Sequence, residues 1–245
     1  MKILVCLGQV PDTTSKISFT DNNSKLNSAG VQFIIGPYDE YALSKAIDVR
    51  EAKGGSVTVF TVALSDAEPV IRKALAIGAD DAVRVDADPT DALFVATQIA
   101  QYAKDKGFDM ILTGRESIDY NGGLVHGMVG EMLGWPSISP AMKLELEGDK
   151  ATIYREIEGG KEVLEVPLPF VAGCQEPIAE WKIPNMRGIM TAKTKPLTVI
   201  PAVSTSQVVT YSQYELPAGR TACKLVDPSN VEELVRLLKT EAKVI

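Results

Sequence analysis

Met110-Ile-Leu-Thr-Gly-Arg-Glu-Ser-Ile-Asp-Tyr-Asn-Gly-Gly-Leu-Val-His-Gly-Met128 carries the chain from one kind of structure into another. Met110 to Thr113 read as a buried strand, and Leu124, Val125, Met128, Val129, Met132 and Leu133 recur at helical spacing as a core-packing stripe. A strand that runs through a loop into a helix is where open α/β folds place nucleotides. Gly122 and Gly123 are predicted at the helix start, where unpaired backbone N–H groups and the positive end of the helix dipole favour an anion. Lacking a Cβ, they let a ligand approach closely. A glycine-rich turn that merely ends a strand serves equally well from these glycines alone. The run is neither the three-glycine dinucleotide fingerprint nor a Walker loop, so it indicates a nucleotide or anion site without a chemistry.

Working outward, the preceding residues alternate strand and helix patterns. Lys2–Leu7, Ser56–Val62, Ala82–Val85 and Asp109–Thr113 read as four strands. A helix is predicted from Pro37 to Ala52, with Pro37 in its first turn and Asp39 and Glu40 at its positive end. A second follows a Ser65/Glu68 capping box and closes at Gly78. A third runs from a Thr90 cap to about Lys104. Between the first strand and first helix, Ile17–Asn27 forms an exposed hairpin around Asp21-Asn-Asn23. Helices of this length between strands imply right-handed crossovers and a mostly parallel sheet.

Beyond Trp135 the pattern changes. Ala141–Leu146, Ala151–Glu156 and Glu162–Val166, separated by Glu147-Gly-Asp149 and Glu158-Gly-Gly160, predict an antiparallel meander. Phe170–Cys174 returns to the main sheet, and Pro184-Asn-Met-Arg-Gly188 is a turn leading into Ile189-Met190. Residues 197–227 carry little periodicity and read as an extended arm before a helix near Asn230 to Lys243. The expected division is therefore an α/β domain over 1–196 and an arm with its helix over 197–245, wrapped around its own domain or around a partner subunit.

Composition narrows the function. At 245 residues, with 45% hydrophobic and 23% charged residues, the chain can bury a large core. A net charge of −7 argues against a nucleic-acid partner, so any bound phosphate needs backbone amides and local cations such as Arg115. The apolar run Ile3–Leu7 is too short to span a bilayer and no longer run occurs, so a cytoplasmic or organellar-matrix protein without membrane insertion is expected. Cys6, Cys174 and Cys223 are too scattered for a disulfide framework, a zinc site or a cluster, and read as buried thiols. His126 is the single histidine; in the first turn of a helix it suits an anion contact or a plain surface position better than general-base duty. No catalytic residue and no metal site are predicted.

Taken in order, Val10-Pro-Asp12, Pro37-Tyr-Asp-Glu40, Ala74-Leu-Ala-Ile-Gly-Ala-Asp80, Gly114-Arg-Glu-Ser-Ile-Asp119, Arg155-Glu-Ile-Glu-Gly-Gly160 and Pro184-Asn-Met-Arg-Gly-Ile-Met190 resemble the beta subunit of electron-transfer flavoprotein. The likeness runs from Lys2 through Ala192-Lys193 to the closing helix. It implies a Rossmann-like α/β domain with a C-terminal arm on an alpha partner that holds FAD. It implies an electron carrier rather than an enzyme, passing electrons from dehydrogenases, for example of acyl-CoA (fatty acid beta) oxidation, to a quinone reductase or another acceptor. The beta subunit of this family binds AMP, or a second FAD in members that bifurcate electrons as a complex.

By position, the resemblance places the nucleotide near Cys6, Pro37, Tyr38, Asp39, Val62, Gly114, Arg115, Ser117, Asp119, Asn121, Gly122, Gly123, Leu124 and Val125. Gly36, Asn121, Leu124 and His126 depart from the family's usual Asn, Asp, Gln and Gly, which removes polar ligands for AMP. Arg115, Val125 and the Val-Pro-Asp-Thr turn look more like the two-flavin members. The resemblance also places a dehydrogenase-docking side chain at Met186, with Ile183 as a second candidate and Lys193 close by. Against it stand a nucleotide-binding regulator of the universal-stress type and, further off, a nucleotide-activating transferase.

Overall fold

The computed structural model describes residues 1–219 and 222–245. In chain order the elements are β1 (Lys2–Cys6), β2 (Gln9–Pro11), β3 (Phe19–Thr20), β4 (Lys25–Leu26), β5 (Phe33–Ile35), α1 (Pro37–Lys53), β6 (Ser56–Ala63), α2 (Glu68–Ile77), β7 (Asp81–Asp86) and α3 (Ala92–Ala103). They continue with β8 (Met110–Gly114), α4 (Val125–Leu133), β9 (Ser137–Glu147), β10 (Lys150–Ile157), β11 (Gly160–Pro167), β12 (Phe170–Cys174), α5 (Met186–Ala192), β13 (Leu197–Ile200) and α6 (Val231–Leu237). Two compact units result, one of residues 1–17 and 27–212, the other of residues 18–26 and 213–245.

The larger unit is built on a nine-stranded sheet in the order β11-β10-β9-β12-β8-β1-β6-β7-β13. From β9 to β13 every pairing is parallel, while β10 runs antiparallel to both β9 and β11. The expected mostly parallel α/β sheet with a meander is therefore present, and the meander extends the sheet rather than standing apart. One face carries α1, α2 and α5 over a core that includes Val5, Leu43, Ile47, Ile71, Leu75 and Leu112. The other carries α3 and α4 over Leu4, Phe60, Ile99, Ile111, Val129 and Val171. Central strands buried on both faces read in sequence as unbroken apolar runs.

Several local expectations give way. Ser65 caps nothing: it opens a 3-10 turn, Ser65–Ala67, that runs straight into α2 without a side-chain cap. Asp91, not Thr90, caps α3, accepting from Phe94 N at 2.7 Å. The turn expected over Pro184–Gly188 is instead the start of a helix: Asn185 caps α5 by accepting from Gly188 N at 2.8 Å. The arm read from residue 197 begins instead as the edge strand β13, parallel to β7. It continues along α3, where Gln98 exchanges two hydrogen bonds with Val203 and the Asp91 carboxylate accepts from Val208 N and Val209 N. Arg220 and Thr221, also assigned to the arm, lie outside the described residues.

In the smaller unit, β3 and β4 form the expected hairpin, with Asp21, Asn22 and Asn23 all at positive φ, a conformation Asn and Asp tolerate best among residues with a Cβ. Phe19 stacks on Tyr214 with ring centroids 5.1 Å apart. Asn230 caps α6, which ends in a wider π turn over Leu238–Ala242. Val231, Leu234 and Val235 of α6 are exposed.

Candidate functional site

Sheet order locates the switch point. From β1 the chain passes through α1 to β6 and through α2 to β7, and α3 then returns it to β8 on the far side of β1. The carboxyl ends of β1 and β8 are thus the topological switch point, the place where open α/β sheets bind ligands. Cys6 ends β1, Gly114 ends β8, Val62 lies one residue from the end of β6, and Pro37, Tyr38 and Asp39 form the first turn of α1.

Asp39 ties these ends together. One carboxylate oxygen accepts from Gly8 N and the other from Gly114 N, both at 2.8 Å. Burial pushes its carboxyl up to about 7 against the opposing pull of those two amides. The close approach depends on glycine: a Cβ on Gly114 falls 2.6 Å from Asp39 Oδ1 and 2.8 Å from Tyr38 Cβ. A Cβ on Gly36 falls 2.6 Å from Asp39 Oδ2, so a larger residue at this position would displace the Asp39 carboxylate. With both oxygens engaged, Asp39 shapes the crevice. Gly8, absent from the sequence reading, is its essential partner, and the signal for it was a glycine just beyond the first strand.

Arg115 is held over this end of the sheet. Its backbone N–H donates to Cys174 O at 2.9 Å, and its guanidinium donates to Gln175 Oε1 at 2.8 Å and Glu116 Oε1 at 3.1 Å. The guanidinium also sits 5.2 Å from the centre of the Tyr38 ring. Gln175 donates in turn to Glu156 at 2.8 Å, so the meander helps orient Arg115. The loop that follows is closed on itself. Ser117 and Gly122 exchange backbone hydrogen bonds of 3.1 and 3.3 Å, Ser117 donates its hydroxyl to Asp119, and Asn121 adopts φ 49° at the tip.

The helix after the loop starts later than predicted. Gly122 and Gly123 precede it, Leu124 is the N-cap, and the Gly122 amide is already spent on Ser117. The first bond of α4 runs from Met128 N to Leu124 O at 3.1 Å, so the N–H groups of Val125, His126 and Gly127 lie ahead of the helical ladder. Among the described residues no side chain caps them. The predicted stripe is only partly core: Val125, Met128, Val129 and Leu133 pack inward, whereas Leu124 is 60% and Met132 42% exposed.

His126 is not on the surface. Its ring is half-buried against β12, where a Cβ on Gly173 falls 2.9 Å from His126 Cδ2, and burial holds its pKa below the usual range. The backbone at Arg115 and Gly123 faces the ring and pulls its pKa the other way. Cys6 and Val62 turn their side chains into the core beside α3 and α4. Burial, with Asp39 beside it, pushes the Cys6 thiol far up, and burial does the same to Cys174, which makes both poor nucleophiles. Cys223 is exposed rather than buried, contrary to expectation.

The residues assigned to docking gather elsewhere in the same unit. Met186 opens α5 with 75% of its surface exposed, Ile183 is 73% exposed, and Lys193 follows the helix in solvent. Met186 is therefore not core filler. Met190 and Trp181, neither of them assigned to docking from the sequence, are exposed beside them in sequence. The segment is a short helix pinned to α2: Arg72 donates to Ala192 O and Lys195 O, and a Cβ on Gly188 falls 2.2 Å from Ala76 O. Among the described residues there is no metal-ligand cluster, and no helix is long and apolar enough to cross a membrane.

This is a Rossmann-like α/β protein with a topological switch point between β1 and β8 and an apolar helix tip in solvent. Residues 24–205 match the electron transfer flavoprotein domain. The chain is 35% identical to the electron transfer flavoprotein subunit beta of Bacillus subtilis, with all of both chains covered. It is 36% identical to that of Syntrophomonas wolfei, covering 100% of this chain and 98% of the relative, and 35% identical to that of Mycobacterium bovis, covering 81% and 78%. The chain belongs to the electron transfer flavoprotein beta-subunit family, whose members are electron-transfer carriers.

Proposed function

We propose that the chain pairs with a flavin-bearing alpha subunit and holds an adenosine phosphate, of AMP or of a second FAD, in the crevice above β1 and β8. The observation that carries this reading is the uncapped start of α4 at the switch point: three N–H groups and a helix dipole lack a side-chain partner beside Arg115. The residues fit the group. The amides of Val125, His126 and Gly127 with the Arg115 guanidinium receive the phosphate, Gly123 leaves room for it, and Tyr38 with the backbone at Cys6 and Val62 walls the remainder. Ser117, Asp119 and Asn121 hold the loop in shape, and the exposed Leu124 gives the ligand an apolar rim. A flavin, when bound, supplies the electron-accepting ring; the protein contributes binding, orientation and exclusion of water.

Electrons pass from acyl-CoA or other dehydrogenases to a quinone reductase or other acceptor, with Ile183, Met186 and Lys193 meeting the donor. The apolar row Val231, Leu234 and Val235 supports packing of the arm on the alpha subunit. The protein works in the cytoplasm. Co-expression with the alpha subunit tests the assembly: a yellow one-to-one complex is expected, whereas a colourless homodimer that responds to ATP overturns it in favour of a stress-type regulator.

A further inference from the structure

A cleft lies between α1 and the meander, with a volume of about 460 Å³. Lys45, Lys143 and Lys161 converge on it, with Glu145 the one carboxylate of its lining, so the walls carry a net charge of +2 (three ammonium groups less one carboxylate). The chain as a whole is at −7, so this concentration of cations does not follow from composition. The charges are not equivalent. Lys143 is paired with Glu145 at 2.8 Å and lies 4.8 Å from the centre of the Tyr154 ring. Lys45 is half-buried on α1 and has no hydrogen-bond or ion-pair partner among the described residues.

An ammonium group removed from water without a counter-ion is costly, and lysine ordinarily escapes by extending its head into solvent. Lys45 does not escape. Burial holds its pKa below the usual lysine range although Asp48 and Glu145 pull the other way. Tyr154 and Ile178 add an apolar wall to the same cleft.

We propose that this cleft binds a small organic phosphate, its doubly charged head between Lys45, Lys143 and Lys161 and its body against Tyr154 and Ile178. Compact ammonium groups act on phosphate as point charges, and a dianion neutralises the net charge of the walls. The site is distinct from the α4 crevice and does not depend on the reading given for it.

The test uses the full chain with its co-purified partner, titrated with inorganic phosphate and with phenyl phosphate by calorimetry and thermal melting, against chloride at matched ionic strength. Both ligands are expected to raise the melting midpoint, and phenyl phosphate to bind more tightly. Lys45→Met keeps the aliphatic stem and is expected to weaken both roughly tenfold or more, the size of one charged hydrogen bond, without loss of the nucleotide retained elsewhere. Lys161→Met, on an exposed residue, is expected to weaken both in the same direction if the first variant folds poorly. No response beyond the chloride control, or equal responses in parent and variants, overturns the site. Equal affinity for the two ligands overturns the assignment of an organic body.

Discussion

The crevice at β1 and β8 and the tip of α5 belong to one unit but treat their side chains in opposite ways. In the crevice polar groups are drawn inward: the Asp39 carboxylate is spent on two backbone amides and Arg115 is fixed by Gln175 and Glu116. At α5 apolar groups are pushed outward, while the polar contacts, Asn185 and Arg72, are used to pin the backbone. A small charged ligand needs a rigid, partly dry enclosure, whereas a protein partner needs an apolar anchor on display. Both regions sit near glycines that permit close approach, Gly114 in one and Gly188 in the other. The chemistry thus follows from which way the neighbouring side chains point.

The contrast breaks most visibly at Asp39. Asp39→Ala leaves the Gly8 and Gly114 amides without acceptors and is expected to cost about 2 to 4 kcal/mol, read as a lower denaturant midpoint with loss of bound nucleotide. An unchanged midpoint would show that the clip is not structural.

Next in size is Gly123→Glu, which sets a carboxylate before the start of α4. A Cβ there meets Arg115 O at 3.2 Å, so the loop yields slightly, and the fold is expected to survive while nucleotide content falls roughly tenfold or more. Full nucleotide content in the purified variant would remove this loop from the site.

Asp39 also sharpens the comparison through pH. Its folded value of about 7 lies above the ordinary 3.8, so the stability it contributes is complete below about pH 4 and is lost as pH rises through 7. The melting midpoint of the parent minus that of Asp39→Asn is therefore expected to fall across that window. A difference that is flat or rises would mean that the two amides outweigh burial.

The smallest effect on stability is expected at α5. Met186→Ala should leave the melting midpoint and the bound flavin unchanged, because the side chain is in solvent, yet slow reduction by the dehydrogenase roughly tenfold, as loss of an interface anchor does. Ile183→Ala on top of it should slow reduction further, and equal rates in all three proteins would refute docking at this tip.

The sheet was legible in the sequence because its central strands are buried on both faces and read as unbroken apolar runs, and because glycine-bearing turns punctuate the meander. What escaped did so for physical reasons. The large apolar residues of α5, Met186, Ile189 and Met190, face solvent and only Ala192 is buried, so no inward stripe marks it as a helix. The edge strand β13 is hidden between Pro196 and Pro201, with two of its four residues exposed. Thr90 and Asp91 are both good caps, and only the strap amides of Val208 and Val209 show why Asp91 holds the position. Within the crevice the glycine loop was visible, but its internal Ser117–Gly122 bridge was not, since a pairing across five residues leaves no periodic trace. That bridge spends the Gly122 amide, and the N–H groups ahead of the helical ladder are those in the first turn of α4.

The most direct test is mass spectrometry of the small molecules released when the co-purified complex is denatured. An adenine nucleotide, either AMP or an FAD additional to the one held by the alpha subunit, is expected in equal amount to this chain. A single FAD per complex with no further adenine compound would contradict the account.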